Sequence, residues 1–287
     1  MSDLLKRLRS YNLSLSDCYD IISSVAMVPY DSVVANPLVI ADLICNPEII
    51  QSIEEQLKAN VPVAYITGRK EFYGLEFKVN QHTLIPRPDT ETLVECVITA
   101  VAGFTPARSG ATRERSEPSE IKILDLCTGS GCILLALLAN LPSATGVGVD
   151  ISSEALLVAQ ENAERLGLAD RAKFIEADAL ELDIYNDFDI VTMNPPYLSA
   201  KEYPDFPLLV SEPRSALVAD DDGYIFYKKV LCQLDKLSNN IRPAIFFEVG
   251  YQQAAEVVRI ASKYGFTLNI KDDMNAIPRV VYGNLEV

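Results

Sequence analysis

The sequence is poor in the residues that build metal sites and redox motifs. Its 287 residues include one histidine, His82, and six cysteines, none of which forms a C-x-x-C pair. Zinc sites and thioredoxin-like motifs need such clusters, so both are disfavoured. Cysteines scattered through apolar surroundings are typical of reduced core residues in a cytosolic chain. We therefore expect no metal site, and we expect His82 to be a surface or packing residue.

Long apolar runs and an excess of positive charge are also missing. The longest apolar run, Cys132 to Ala139, is too short to span a bilayer. The net charge of −15, from 40 acidic and 25 basic residues, argues against broad binding to phosphate backbones. We expect a cytoplasmic monomer that binds neither nucleic acid nor membrane. A mitochondrial location is the less favoured alternative, because Asp3 interrupts the basic start of the chain.

Apolar residues make up 49% of the whole chain. The first part of the chain has the sequence pattern of a small helical domain. Residues 1–68 contain leucines at helical spacing and several helix-start patterns. Ser14 or Ser16 can cap one helix, and Asn46 followed by proline opens another that runs to about Lys58. These residues predict short helices and show no catalytic chemistry.

Two stretches separate this domain from the rest. Residues 71–86, EFYGLEFKVNQHTLIP, alternate aromatic and polar residues around Gly74, which indicates a hairpin. We take 69–88 as a hairpin linker. After a predicted helix at about 90–102, residues 103–120 are rich in glycine, proline, serine and charge. We predict a mobile surface insertion there.

From residue 121 onward, apolar strands alternate with amphipathic helices. The strand sequences are IKILDL, TGVGVD, AKFIEAD and FDIVTMN, and helices are expected at about 131–140 and 153–166. This alternation predicts an α/β domain over 89–287, with a mostly parallel sheet and helices on both faces. In such sheets, ligands lie beyond the carboxyl ends of the strands, where the strand order reverses.

Polar residues stand where these predicted strands end. The first strand runs into Cys127-Thr128-Gly129-Ser130-Gly131, whose glycines allow a ligand to approach the backbone and whose following helix offers free N–H groups. The turn lacks the third glycine of a dinucleotide fingerprint, and alone it can be a tight strand-to-helix connection. Asp150 ends the second strand, Asp178 and Ala179 follow the third, and Asn194 ends the fourth.

Together these strand ends indicate a nucleoside site. Asp150 is placed to accept hydrogen bonds from both ribose hydroxyls, or else it caps the next helix, although Ser152 and Ser153 already supply a cap. Asp178 can accept from an exocyclic amine such as that of adenine, or else it is a turn residue. The glycine turn and three polar strand ends are stronger in combination than any one of them alone.

The fourth strand ends in Asn194-Pro195-Pro196-Tyr197, and neither proline can continue a sheet ladder. The Asn194 oxygen can accept one hydrogen of a substrate NH₂ group and the Pro195 carbonyl can accept the other. The prolines fix the direction of that carbonyl, and Tyr197 offers a flat face to a planar amide. These four residues are our candidate catalytic residues, and a rigid exposed turn is the plainer alternative.

ILDLCTGSG, the acidic strand ends and NPPY resemble class I S-adenosylmethionine-dependent methyltransferases that act on nitrogen in a planar group. Two families share NPPY: the DNA adenine N6-methyltransferases, and the HemK-type enzymes that methylate a glutamine of peptide chain release factors. The segments ITGRKEFYGLEF, LIPRPDTETLV, SEPRSALVA and FFEVGYQQAAEV resemble the second family, from about residue 60 to the end.

The resemblance implies transfer of a methyl group from S-adenosylmethionine to the N5 nitrogen of a glutamine. That glutamine would lie in a glycine-flanked loop of a release factor, within translation termination. Residues 1–68 would recognise the substrate. The residues implied for cofactor binding are Cys127, Thr128, Gly129, Ser130, Gly131, Asp150, Asp178, Ala179 and Asn194.

Three alternative functions stay open. They are glutamine methylation of a ribosomal protein, adenine methylation of DNA, and a binding module without catalysis. Adenine methylation of DNA would predict a basic cleft and a domain that recognises bases, and this acidic sequence indicates neither. The sequence departs from the family pattern at Cys127, where glycine is commoner, so we expect an ordinary φ there. The insertion at 103–120 is also longer than expected.

Overall fold

The computed structural model describes residues 3–44, 46–102, 121–237 and 242–283. The predicted insertion at 103–120 lies outside the described residues. The chain divides into two compact units, one of residues 1–69 with 79–81 and the other of residues 70–78 with 82–287. None of the described helices is long and apolar enough to cross a membrane.

The first unit is helical, and its helix starts follow from capping. The Ser14 hydroxyl accepts from the Asp17 N–H while the Asp17 carboxylate accepts from the Ser14 N–H, which fixes the start of the second helix. Asn46 caps the fifth helix through its side-chain oxygen, which accepts from the N–H groups of Glu48 and Ile49. Both predicted starts are confirmed. The described helices are α1 (Asp3–Arg9), α2 (Leu15–Ala26), α3 (Tyr30–Ala35), α4 (Pro37–Leu43), α5 (Pro47–Lys58) and α6 (Val63–Thr67), packed on Leu8, Cys18, Ile21, Ile22, Val33 and Ile53.

Strands β1 (Arg69–Phe72) and β2 (Leu75–Lys78) form a hairpin that turns at Gly74, where φ is 73°. The hairpin is shorter than the predicted range of 71–86, and no strand is present from 79 to 88. Pro86 and Pro88 in that stretch have no N–H to donate to a ladder. The stretch ends in a 3₁₀ turn, Pro88–Thr90, that runs directly into the next helix.

The second unit alternates strands and helices, as predicted. Its further elements are α7 (Glu91–Ala102), β3 (Lys122–Leu126), α8 (Cys132–Asn140), β4 (Thr145–Asp150), α9 (Ser153–Arg165), β5 (Ala172–Glu176), β6 (Ile190–Met193), α10 (Ile225–Asp235), β7 (Ala244–Glu248), α11 (Ala254–Ser262), β8 (Asn269–Asp272) and β9 (Pro278–Gly283). Short 3₁₀ turns occur at Tyr185–Asp187, Tyr203–Asp205, Pro207–Leu209, Arg214–Ala216 and Asp221–Gly223.

Strands β3 to β9 form one sheet in the order β5-β4-β3-β6-β7-β9-β8, in which β9 runs antiparallel to both of its neighbours. The sheet is covered on both faces. Leu124 and Leu126 of β3 pack in one core cluster with Tyr227 of α10, whereas Ile123 packs in another with Leu134 of α8. The expected α/β architecture, a mostly parallel sheet with helices on both faces that follows a helical region in the sequence, is therefore confirmed.

The order of the strands also locates the site. From β3 the chain builds outward through β4 to β5, then returns to the other side of β3 with β6 and β7. The strand order thus reverses between β3 and β6. A crevice is expected beyond the carboxyl ends of these two strands, where the turn that begins at Cys127 and the segment that begins at Asn194 follow.

Candidate active site

The turn at residues 127–131, here called the glycine turn, is built from left-handed backbone. The φ angles are 57° at Cys127, 54° at Gly129 and 79° at Gly131. The expectation of an ordinary φ at Cys127 was therefore wrong. The turn has to reverse direction immediately after β3, and the next residue, Thr128, donates its N–H to the Val149 carbonyl at 3.0 Å. That constraint outweighs the left-handed cost of roughly 1–2 kcal/mol for a non-glycine residue.

Asp125 braces this turn from below. It lies inside β3, is fully buried, and accepts from the Thr128 hydroxyl at 2.6 Å and from the Thr192 hydroxyl at 2.7 Å. Burial raises the pKa of Asp125 to about 6. Because Thr192 lies on β6, two residues before Asn194, this carboxyl ties the glycine turn to the strand that ends in the candidate catalytic segment.

Asp150 closes the turn from the neighbouring strand. Its Oδ2 accepts from the Gly129 N–H at 2.8 Å and its Oδ1 accepts from the Ser152 N–H at 3.0 Å. The helix cap itself is Ser152, whose hydroxyl accepts from the Ala155 N–H. Burial raises the pKa of Asp150. Asp150 is therefore not the cap of α9, and its carboxylate orders the glycine turn.

Asn194 contacts a residue that the sequence analysis did not single out. Its Nδ2 donates to Oγ1 of Thr90 at 3.3 Å. Thr90 is buried at the junction of the 3₁₀ turn and α7. The backbone of the same segment is anchored further along, because Gln253 donates its side-chain N–H to the Tyr197 carbonyl at 3.0 Å and accepts from the Gly250 N–H at 3.0 Å.

Tyr197 is enclosed by glycines. A Cβ added at Gly250 would lie 2.9 Å from the Tyr197 ring, and one at Gly223 would lie 2.1 Å from the Tyr197 carbonyl oxygen. Burial raises the pKa of the Tyr197 hydroxyl above its usual range. The segments containing Gly223 and Gly250 therefore hold the tyrosine tightly.

Most of the predicted site residues line one cavity of about 920 Å³ at the carboxyl edge of the sheet, a volume that includes its open mouth. Its lining includes Cys127, Thr128, Gly129, Ser130, Asp150, Asp178, Ala179, Asn194 and Pro196. Gly131, Pro195 and Tyr197 are not part of the lining. His82, predicted to be a surface or packing residue, is exposed and contributes to the cavity rim.

The cavity wall suits a polar nucleoside ligand. Oγ of Ser130 is buried at the wall with no hydrogen-bond partner among the described residues. A carboxylate has about four acceptor positions, and the Asp150 carboxylate uses two of them on backbone N–H groups. Asp178 accepts from the Leu180 N–H at 2.8 Å through one of its two oxygens. An S-adenosylmethionine molecule would find acceptors at both acids and a hydroxyl at Ser130.

Another part of the wall is held by an ion pair whose acid, Glu212, is buried and whose base, Arg87, is partly exposed. Arg87 pairs with Glu212, and the second oxygen of Glu212 accepts from the Ile85 N–H at 3.0 Å. Arg87 lines the cavity, as does Pro213 beside Glu212. The pair thus joins the segment before α7 to the segment after β6.

Several residues of the site carry no pattern that sequence reasoning detected. Asp125 is the one acid of β3 and Glu248 the one acid of β7, and an isolated acid in a mainly apolar strand is a usable clue. Glu248 ends β7 and is buried, and burial raises its pKa to about 7. Thr90 and Thr192 offer no such clue. In the described part of the chain, no cluster of histidine, cysteine and acidic residues can hold a metal ion.

A family model described as "Methyltransferase domain" matches residues 117–236. The release factor glutamine methyltransferase of Bradyrhizobium diazoefficiens is 38% identical over 229 residues, covering 78% of this chain and 72% of that relative. The enzyme of the same name from Flavobacterium psychrophilum is 38% identical over 235 residues, covering 80% and 77%. A bifunctional methyltransferase of Rickettsia bellii is 34% identical over 271 residues, and the chain spans 48% of its length.

Solved structures agree on the fold. The hMettl16 catalytic domain, in complex with an RNA hairpin, aligns with a TM-score of 0.59 at 17% identity, covering 78% of this chain and 81% of that one. A human methyltransferase 10 domain containing protein aligns with a TM-score of 0.50 at 15% identity, covering 84% and 99%. At these identities the similarity extends to the fold alone.

Proposed function

The chain belongs to the release factor glutamine methyltransferase family, and from that premise we propose that it methylates a glutamine side-chain nitrogen of a peptide chain release factor. S-adenosylmethionine would supply the methyl group as an electrophilic sulfonium methyl. The observation that carries the proposal is that Asn194 lines the same cavity as Asp150 and Asp178. A nucleoside cofactor at the two acids would thereby have its reactive end within reach of the asparagine.

The proposed role of each residue follows from what an amide substrate needs. An amide nitrogen is a poor nucleophile because its lone pair is delocalised into the carbonyl. We assign the Asn194 side-chain oxygen and the Pro195 carbonyl as acceptors for the two hydrogens of the substrate NH₂ group. Both contacts orient the nitrogen and stabilise the positive charge that develops on it. Since the methylated nitrogen is acidic, its proton can leave late and no strong base is required.

The cofactor side of the proposal uses the glycine turn and the acids. Asp150 would accept from the ribose hydroxyls and Asp178 from the adenine amine. Ser130 and the N–H groups at the start of α8 would face the carboxylate of the methionine part. Cys127, Ala179 and their neighbours in the cavity wall would pack against the adenine ring.

We also propose that residues 1–68 recognise the release factor, with 69–88 as a linker. What supports this is the apolar character of the helical unit. It has a groove lined by Ile21, Val25, Ile49 and Ile53, and it exposes further large apolar side chains, among them Leu38, Val39 and Leu43. The expected monomeric state, the cytoplasmic location and the lack of nucleic-acid binding stay predictions.

The test is mass spectrometry of purified release factor after incubation with this protein and labelled S-adenosylmethionine. We expect one methyl group on a glutamine in a glycine-flanked loop, and none when that glutamine is replaced. Asn194→Ala should lower turnover by ~10²–10³-fold, the usual loss for one aligned polar contact at a transition state. A ribosomal protein and duplex DNA are included as competing substrates. Label on adenine, or on the ribosomal protein alone, would contradict the proposal.

A further inference from the structure

A chain of three side chains leads away from the cavity at Asn194. The first link is the hydrogen bond of 3.3 Å from Nδ2 of Asn194 to Oγ1 of Thr90. Thr90 is only 2% exposed. It sits where the 3₁₀ turn passes into α7, and it lines the same cavity as Asn194.

The second link joins Thr90 to Glu248. The Thr90 hydroxyl lies close enough to this carboxyl to lower its pKa, and Glu248 ends β7 next to the strand of Asn194. Glu248 is 1% exposed, and its Oε2 has no hydrogen-bond partner among the described residues. The charged and titratable groups that face it are Arg279 of β9, Arg87 and Asp89 before α7, Cys132 of α8, Tyr197 after β6 and Tyr227 of α10.

The number of available protons fixes the direction of the hydrogen bonds among these three side chains. A threonine hydroxyl has one proton, and an ionised carboxylate can only accept. When Thr90 gives its proton to Glu248, its oxygen can only accept from Asn194. The amide of Asn194 must then turn its NH₂ group toward Thr90. Because the amide is planar, the Asn194 side-chain oxygen then points away from Thr90.

We propose that Thr90 and Glu248 are positioning residues that fix the orientation of the Asn194 amide, so that its oxygen and not its NH₂ group is presented to the substrate. The inference rests on the proposed function, in which the substrate amide donates to Asn194. If the Asn194 amide were reversed, its NH₂ group would face the NH₂ group of the substrate. It could then accept neither of the substrate hydrogens. We call Glu248, Thr90 and Asn194 the amide relay.

The relay is sensitive to the protonation of Glu248. A protonated Glu248 can donate to Thr90, which frees the Thr90 proton for the Asn194 oxygen and allows the amide to reverse. Burial raises the pKa of Glu248 to about 7, and the nearby Arg279 and Arg87 oppose that rise while Asp89 adds to it. Deprotonation therefore favours the productive orientation, and turnover should rise with pH through this range.

Steady-state kinetics with the release factor substrate provide the first test. Thr90→Val removes both hydrogen bonds at nearly constant volume, and we expect kcat to fall about 10-fold or more while KM and the cofactor Kd change by less than about twofold. Thr90→Ser keeps the hydroxyl and should retain most of the activity. Thr92→Val, the same substitution two residues along α7, is the matched control and should behave as the wild type.

The pH profile separates positioning from simple packing. The wild-type kcat should fall as pH drops below about 7. Glu248→Gln should lose that limb, because a glutamine amide can donate or accept at any pH and no longer sets the direction of the relay. Equal kcat in Thr90→Val and wild type, or an unchanged acidic limb in Glu248→Gln, would overturn the proposal.

A second readout does not depend on turnover. In protein labelled with ¹⁵N at asparagine, the side-chain NH₂ resonance of Asn194 can be assigned from its loss in Asn194→Ala. We expect it to shift with pH in the wild type, to stay constant in Glu248→Gln, and to move in Thr90→Val. No response to Thr90→Val would exclude the relay. A clear response without methylation of any release factor would sink the proposed function and leave the relay standing.

Discussion

At the scale of single residues, Asp150 combines an observed contact with a proposed one. It holds the glycine turn through the Gly129 N–H and retains acceptor positions toward the cavity. We predict that Asp150→Ala weakens S-adenosylmethionine binding by about 1.5–3 kcal/mol, the range for losing hydrogen bonds to a charged acceptor. Titration calorimetry measures this directly. Asp170→Ala, which removes an exposed acid outside the cavity lining, should leave the affinity unchanged.

Equal affinity in Asp150→Ala and wild type would mean that the carboxylate only orders the turn. A thermal melt of each variant separates that case from loss of fold. Because the acid replaced is partly buried and accepts two backbone N–H groups, some loss of stability is expected as well. The affinity must therefore be measured at a temperature where both proteins are folded.

The residues at strand ends were predictable, and those behind them were not. Asp150, Asp178 and Asn194 could be identified because parallel strands align their carboxyl ends, so three separate positions in the sequence become one edge. Thr90 and Glu248 approach Asn194 from α7 and β7, and no spacing in the sequence encodes that meeting. The φ of Cys127 was mispredicted because an intrinsic preference gave way to the path of the chain after β3.

At the scale of elements, α9 fixes two loops through one side chain. Asn162 is fully buried, and its Nδ2 donates to the carbonyls of Ser130 and Lys78 at 2.9 and 3.0 Å. Its Oδ1 accepts from the Lys78 N–H at 2.7 Å. The amide thus joins the end of the hairpin to the glycine turn.

We predict that Asn162→Leu, which keeps the volume but removes all three hydrogen bonds, lowers the free energy of unfolding by about 2–4 kcal/mol, since buried backbone groups lose their partners. Chemical denaturation provides the measurement. Gln160→Ala on the same helix removes one exposed hydrogen bond to Glu164 and should cost less than about 0.5 kcal/mol. Similar losses in the two variants would show that Asn162 does not lock the elements together.

The capped helices α2 and α5 and the strands β3 to β6 followed from local rules, whereas strand β8, at one edge of the sheet, did not. The helix caps at Ser14 and Asn46 depend on residues that are close together in the sequence. The same is true of the alternating strand and helix patterns after residue 121. Strand β8 has all four of its residues exposed, so it lacks the apolar alternation by which a strand is recognised. It pairs with β9 across the short connection 273–277, whereas the pairing of β9 with β7 joins segments far apart in the sequence.

At the scale of the whole molecule, the net charge of −15 bears on the choice of substrate. A duplex carries about one negative charge per 1.7 Å of its axis and would be repelled at long range. A flexible protein loop carries no such penalty. The charge therefore supports a protein substrate over DNA.

The last prediction concerns residues 103–120, which lie outside the described residues and whose composition predicts a mobile surface insertion. They connect α7, which ends at Ala102, with β3, which begins at Lys122. Replacing them with about four glycine and serine residues should leave folding and turnover intact, because no predicted site residue lies among them. Shortening the loop by this much should raise the free energy of unfolding by about 1 kcal/mol through a smaller closure entropy. Denaturation and the release factor assay, run on both proteins, measure the two effects. A folded variant without turnover would place the segment at the substrate or the cofactor, and a variant that does not fold would make it part of the core architecture.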